Sequence, residues 1–129
     1  MKTFFVMSAL CVTTVFAQAQ AQTQAQTQAA ANDIQRGRAL YMSNGCFSCH
    51  GTVGQGSDRS GAPKLAPETY PFEAFRALVR TPREAMPRLD AQYVSDEQLQ
   101  LIHRYLVSIG KGPAAKEIAP LQALQAALR

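Results

Sequence analysis

Two cysteines and one histidine within five residues constrain this chain more than any other feature. They lie in the segment Cys46-Phe47-Ser48-Cys49-His50. Two thiols three positions apart can each form a thioether with one vinyl group on the same porphyrin edge, and the adjacent histidine then lies beneath the iron. The segment therefore predicts one covalently attached haem c, with His50 as an iron ligand.

The first 17 residues have the pattern of a secretory signal peptide. Lys2 precedes an apolar run that ends near Ala17. At about fifteen residues, this run is shorter than the roughly twenty that a spanning helix needs. A lipoprotein anchor at Cys11 is disfavoured because the preceding Leu10 is bulky. The sequence predicts export, removal of residues 1–17 together with Cys11, and no stable membrane anchor.

A zinc site and a redox dithiol are the alternatives to haem at the motif. Structural zinc needs four protein ligands, and outside the motif the mature chain offers only His103 as a further nitrogen or thiol ligand. A thioredoxin-type dithiol lies beside a βαβ unit, whereas no segment here alternates as a strand requires. Both alternatives fit the sequence less well than haem.

Composition divides the mature chain into three parts. Residues 18–31 lack large apolar side chains and are predicted to be a flexible tether. Residues 32–110 have globular composition, but such a domain is below the comfortable size for a core acting alone. A haem at its centre would supply the missing apolar contacts. Residues 111–129 form a tail that can include a short helix.

The tail has its own apolar pattern. Leu121, Leu124 and Leu128 are spaced by three and four residues, as on one side of a short helix. Such a helix either packs back on the domain or docks a partner. We expect packing on the domain.

The first two of three predicted helices are bounded by caps and prolines. Asn32 is the expected N-cap of the first helix, which ends at Asn44-Gly45. The second helix begins near Pro71, a residue favoured in a first helical turn. It ends before Pro82, because the residue that precedes a proline is disfavoured in a helix.

The third helix has the clearest capping signals. Ser95 is its expected N-cap, and Gln98 closes a capping box. Val94 and Leu99 are placed as a hydrophobic staple, and Gly110 marks the end. The fold class predicted from these elements is all-α.

Four segments and the last helix resemble the class I cytochromes c, in particular a compact bacterial version. The segments are GRALY at 37–41, CFSCHG at 46–51, GAPKL at 61–65 and MP at 86–87. The resemblance spans residues 32–110. It implies a small cytochrome c fold, with three main helices and long loops wrapped around one haem. It also implies that the first and last helices cross near Gly37 and Tyr105.

Met42, Met86 and His103 are the candidates for the sixth iron ligand. Met42 lies on the helix that leads into the motif and is tied to the attachment side, whereas Met86 lies in a loop able to reach the opposite face. His103 falls between core positions of the last helix. We therefore predict His50 and Met86 as the metal ligands, with an open sixth position as the alternative.

Three further residues are predicted to contact the cofactor. The resemblance implies that the carbonyl of Pro63 accepts the other ring proton of His50, although Pro63 would also serve simply to stiffen a loop. Leu65 belongs to the same matching segment. Arg80 is a candidate partner of a haem propionate, and the helix dipole explains an arginine at this helix end equally well.

These residues predict a function in electron transport. Histidine and methionine ligands raise the haem potential and leave no open iron position. We expect a periplasmic one-electron carrier, not an enzyme, whose partners are redox proteins. The alternatives are a cytochrome subunit of a periplasmic dehydrogenase and a gas-binding haem protein. The formal net charge of +4 comes from dispersed residues, so no nucleic-acid partner is expected.

Overall fold

The computed structural model describes residues 7–83 and 85–128 of the chain. The predicted signal peptide begins outside this range, at residues 1–6. The described residues form five α-helices and one 3₁₀ turn at Ala115–Glu117. The helices are α1 (Met7–Ser43), α2 (Phe47–His50), α3 (Phe72–Arg80), α4 (Asp96–Ser108) and α5 (Ala119–Ala127).

The prediction of an all-α fold is confirmed. The only β-pairing in the described part of the chain is an isolated bridge between Ser57 and Ala62. Among the helices of residues 7–83 and 85–128, none is both long and apolar enough to cross a membrane.

Helix α1 begins much earlier than predicted. It ends at Ser43, next to the expected stop at Asn44-Gly45, but it continues upstream through residues 18–31. Asn32 is therefore inside the helix, and its prediction as an N-cap is wrong. The reason is that the Ala- and Gln-rich stretch has good helix formers and contains no glycine or proline to end a helix. Its side chains from residue 20 to 31 are exposed, and its role as a tether stays a prediction.

Helices α3 and α4 lie where the sequence places them. Pro71 precedes α3 as its N-cap, and Thr81 ends it. At the start of α4, the Ser95 hydroxyl accepts a hydrogen bond from the Gln98 backbone N–H at 3.3 Å, and the Gln98 side chain accepts one from the Ser95 N–H at 2.9 Å. The predicted capping box is confirmed.

Helices α1 and α4 cross in close contact at Gly37. A Cβ built on Gly37 would overlap the Leu101 carbonyl and would lie 3.0 Å from the Tyr105 Cβ, so only glycine allows this approach. Nearby, an ion pair joins Asp33 of α1 to Arg104 of α4. The predicted crossing near Gly37 and Tyr105 is confirmed.

The core lies between α1, α3 and α4. Its buried apolar residues are Tyr41, Ala66, Phe75, Val79, Val94, Leu99, Ile102, Tyr105 and Leu106. Two long connections pack residues against this core, and we call residues 51–70 the first loop and residues 81–83 with 85–94 the second loop. The first loop follows the cysteine motif, and the second carries Met86.

The tail does not pack as expected. Helix α5 contacts the 3₁₀ turn at Ala115–Glu117. Leu121, Leu124 and Leu128 are 39%, 57% and 79% exposed. The expectation that they pack back on the domain is wrong for the structure described. The short α5 follows Pro113 and an irregular stretch, which leaves it away from the core.

Candidate haem-attachment site

One helical turn carries the cysteine motif. Cys46 is the N-cap residue of α2, and its N–H donates to the Tyr41 carbonyl at 3.2 Å. The His50 N–H donates to the Cys46 carbonyl at 3.0 Å. These backbone bonds join the motif directly to the end of α1, so the two thiols and the imidazole share one short, anchored segment.

The two thiols differ in environment. Cys46 is half-buried and packs against the core, whereas Cys49 is exposed. Burial raises the pKa of the Cys46 thiol. The Ser60 hydroxyl donates to the Cys49 carbonyl at 2.9 Å and so ties the first loop to the motif. Neither cysteine forms a disulfide, so both sulfurs are available to form thioethers.

The His50 imidazole is buried and held in one orientation. Its Nδ1 lies 2.9 Å from the Pro63 carbonyl oxygen. Because a carbonyl only accepts, Nδ1 must be the protonated nitrogen and the donor. The lone pair then lies on Nε2, which is the arrangement of a metal-ligating histidine whose other nitrogen is fixed by a backbone acceptor. The structure thus brings together the pair that the resemblance implies.

Backbone hydrogen bonds fold the first loop onto the motif. The Gly56 N–H donates to the His50 carbonyl at 2.9 Å. The Gly54 carbonyl accepts from the N–H groups of Leu65 and Ala66, at 2.8 and 3.1 Å. Leu65 is partly buried against the core. Its predicted cofactor contact stays a prediction. The backbone bond to Gly54 holds Leu65 near the segment that follows His50.

Two tyrosine hydroxyls add further anchors that the sequence did not predict. Tyr41 donates to the Gly51 carbonyl and Tyr105 to the Thr52 carbonyl, each at 2.7 Å. Their ring centroids are 5.5 Å apart. Burial raises the pKa of Tyr41, so its hydroxyl remains a donor. Both residues occupy apolar positions in the helix pattern, and that pattern does not reveal what a hydroxyl at the ring tip will meet.

The three candidates for the sixth ligand have different surroundings. Met42 and Met86 are both partly buried and pack against the core. His103 places Nε2 2.8 Å from the Tyr70 carbonyl, and its ring lies against Phe72 and Phe75 with centroids 5.6 and 5.5 Å away. His103, a residue of α4, is thus held against α3 and the first loop by structural contacts. The ligand role of Met86 stays a prediction.

The Arg80 guanidinium is surrounded by protein acceptors. It donates to the carbonyls of Leu89 and Val94 at 2.8 and 2.7 Å, and to the Asp96 carboxylate at 2.6 Å. Hydrogen bonds from Arg80 and then Arg76 lower the pKa of Asp96. The predicted contact of Arg80 with a haem propionate stays a prediction. Its contacts with the second loop were not predicted.

The donor set fits haem better than the two alternatives. In residues 7–83 and 85–128, no group of three or more His, Cys, Asp and Glu side chains is arranged to hold a metal ion. The same residues contain no βαβ unit of the kind that surrounds a redox dithiol. Two available thiols and a buried histidine with its Nδ1 fixed match the needs of a haem attached by two thioethers and ligated by Nε2.

Comparison with known proteins identifies the family. A family model described as "Cytochrome C oxidase, cbb3-type, subunit III" matches residues 32–106. This match covers more than half of the chain and includes the cysteine motif, Pro63 and Met86. No curated protein and no solved structure matched. The chain therefore belongs to the cytochrome C oxidase, cbb3-type, subunit III family, whose c-type cytochrome domains bind haem c covalently and transfer electrons through it.

Proposed function

We propose that the chain is an exported one-electron carrier of the bacterial periplasm, with His50 and Met86 as axial ligands. The observation that carries this proposal is the buried His50 ring with Nδ1 bonded to the Pro63 carbonyl at 2.9 Å. The bond fixes the ring orientation and the tautomer, and it raises the basicity of Nε2 as a ligand. A histidine held only by packing would have neither a fixed tautomer nor a more basic Nε2.

Surroundings favour Met86 over the other two candidates for the opposite side. Met42 lies four residues before Cys46, near the end of α1, and is tied to the attachment side. His103 would have to give up the Tyr70 carbonyl and two ring contacts. Met86 lies in the second loop, outside any helix, so its direction is not set by a helical backbone. It also contacts the core.

Two ligands from the chain suit a carrier better than an enzyme. When bound, haem c supplies a one-electron couple, and a methionine sulfur raises its potential. With both axial positions filled by His50 and Met86, no position remains for a substrate. Phe47 and Val53, which flank the exposed Cys49 in sequence, are 40% and 45% exposed and offer an apolar surface for brief contact with a redox partner.

A second candidate function is that of an electron-accepting subunit in a larger periplasmic complex, such as a dehydrogenase. The exposed leucines of α5 favour it, because an apolar helix face outside the core suits a stable protein contact. Co-purification of a larger subunit with the full chain, and its loss on deletion of residues 113–129, would support this function over that of a free carrier.

The decisive experiment replaces Met86 by Ala in the haem-loaded protein. Removing the sulfur opens the sixth position to water and removes the preference for ferrous iron. The reduction potential should fall by more than about 100 mV, or roughly 2.3 kcal/mol for one electron. The reduced variant should also bind carbon monoxide readily. Electrochemical titration and optical spectra measure both effects.

Met42→Ala is the matched control. It also shortens a partly buried methionine that contacts the core, but it should leave the potential and the carbon monoxide response unchanged. Rapid binding of carbon monoxide by the parent protein would favour the gas-binding alternative. An unchanged potential in Met86→Ala would show that another residue is the ligand.

A further inference from the structure

Arg80 precedes the second loop and forms hydrogen bonds along its length. It is the last residue of α3 and therefore stands at the start of this loop. Its guanidinium bonds the Leu89 carbonyl in the middle of the loop and the Val94 carbonyl at its end, at 2.8 and 2.7 Å. Its side chain is only 19% exposed. One side chain thus joins the beginning, middle and end of the segment that carries Met86.

A carboxylate fixes this guanidinium in place. Asp96, the first residue of α4, accepts from Arg80 at 2.6 Å and from Arg76 at 2.8 Å. Arg76 reaches this carboxylate but contacts neither of the two loop carbonyls, since its other partner is Glu73. Arg80 and Arg76 therefore share an acceptor and differ in their contact with the loop.

The three acceptors of Arg80 require the shape of a guanidinium. Its planar fork presents five N–H donors in fixed directions, and charged donors form the stronger class of hydrogen bond. A lysine ammonium at the same place would keep the charge but not the fork. Apart from these bonds, the middle of the loop is joined to α3 by a bond of 3.3 Å from the Leu89 N–H to the Val79 carbonyl.

We propose that Arg80 is a positioning residue that holds the second loop closed and thereby keeps the Met86 sulfur at the iron. This inference rests on the proposed axial role of Met86. On this proposal, Arg80 affects the strength of the bond between Met86 and the iron, and it does so through the position of the second loop. If Arg80 instead contacted a haem propionate, as the sequence predicted, it would alter the charge at the edge of the cofactor.

Loop closure is measurable because an added ligand must displace Met86 before it binds. If the ligand-accessible state is a small fraction of the population, the apparent dissociation constant is the intrinsic constant divided by that fraction. Any change that opens the second loop more often therefore tightens binding of the added ligand. Imidazole binding to the ferric haem-loaded protein, followed by its absorption spectrum, reports this fraction.

Arg80→Gln should tighten imidazole binding about ten-fold, which corresponds to about 1.4 kcal/mol. The optical band that marks sulfur ligation of ferric haem should weaken in parallel. Arg76→Gln is the matched control, and its imidazole affinity should stay within about two-fold of the parent, since it breaks no bond to the loop. Equal effects of the two variants would overturn the proposal.

Arg80→Lys separates geometry from charge and serves if Arg80→Gln does not load haem. It should tighten imidazole binding by an intermediate factor, about three-fold, because one ammonium cannot hold all three acceptors. Full recovery of parental affinity by lysine would overturn the fork argument.

Two further readouts separate this inference from its rivals. If Arg80 acts through a propionate, Arg80→Gln should change the pH dependence of the potential and leave imidazole affinity at the parental value. If the parent lacks the sulfur band altogether, the proposed Met86 ligation fails. If the parent has the band and Arg80→Gln leaves both band and affinity unchanged, only the role of Arg80 fails.

Discussion

The first and second loops carry predicted cofactor contacts on opposite sides of the haem, and different bonds hold the two loops in place. In the first loop, Gly54 accepts two backbone hydrogen bonds with its carbonyl, and Gly56 donates one to His50. In the second loop, the side chain of Arg80 bonds the loop's middle and end, and one backbone bond from Leu89 to Val79 lies beside it. The bonds from the first loop to the segment that carries His50 include backbone bonds, whereas one charged side chain makes two of the bonds that join the second loop to α3.

This difference bears on how each proposed axial ligand is held. His50 must stay fixed next to two covalent attachments, and a backbone network with glycines at positive φ gives a conformation that few substitutions tolerate. Met86 lies in a loop that charged hydrogen bonds from Arg80 join to α3. A substitution of Arg80 or Asp96 should therefore change the position of the second loop and leave the first loop unchanged.

The largest expected effect tests the backbone network of the first loop. Gly54 has φ +65°, and a Cβ there would lie 2.9 Å from the Leu106 side chain and 3.3 Å from the backbone of Ala66. Gly54→Ala should therefore lower the free energy of unfolding by about 3 kcal/mol, the sum of backbone strain and overpacking. Denaturant unfolding of the haem-loaded protein measures it.

Gly61 provides a control with the same backbone conformation in open space. Its φ is +68°, and nothing lies within 4 Å of a Cβ built there. Gly61→Ala should cost only about 1 kcal/mol, the strain alone. Equal costs at Gly54 and Gly61 would mean that the first loop is not packed as tightly as the structure shows.

A smaller effect is expected from the tyrosine anchors. Tyr41→Phe keeps the buried ring but leaves the Gly51 carbonyl without its hydroxyl donor. The free energy of unfolding should fall by about 1 kcal/mol. Imidazole affinity of the ferric protein should remain at the parental value, because the bond lies in the first loop, on the His50 side. Tyr105→Phe, which removes the bond to Thr52, should behave similarly.

A Tyr41→Phe variant that binds imidazole as tightly as Arg80→Gln would contradict the comparison. It would show that loosening the first loop also releases Met86. The two loops would then respond as one unit, and neither ligand would have a support of its own.

Local signals in the sequence predicted much of the fold. The attachment motif is contained in five residues, and the capping box of α4 needs only Ser95 and Gln98, so both are readable from neighbours along the chain. The glycine at the α1–α4 crossing was implied by resemblance. It was the start of α1 that the sequence misplaced, because Asn32 can cap a helix but also tolerates a place inside one when good helix formers precede it.

The supports of the candidate site were harder to predict because they join distant residues. The bond from Tyr105 to the Thr52 carbonyl spans 53 positions. Arg80 ends a helix before a proline, a position that is compatible with a dipole contact, a propionate contact or a loop contact. Only the folded chain shows that the carbonyls of Leu89 and Val94 converge on it.

The smallest expected effect concerns the carboxylate behind the second loop. Hydrogen bonds from Arg80 and then Arg76 lower the pKa of Asp96, and the first turn of α4 also favours a negative charge there. A carboxyl with a lowered folded-state pKa stabilises the fold above its unfolded pKa of about 3.9, and this contribution is lost as the pH falls through the lowered value. Asp96→Asn should therefore melt at a lower temperature than the parent near neutral pH.

The difference in melting temperature between parent and Asp96→Asn should shrink on acidification below about pH 4 and vanish below the lowered pKa. Because the hydrogen bond from Arg80 is the largest single cause of that lowered pKa, the same substitution made in an Arg80→Gln background should lose a large part of its effect. In an Arg76→Gln background it should lose less. A larger loss with Arg76→Gln would show that Asp96 serves mainly the α3 surface, and that Arg80 holds the second loop without its help.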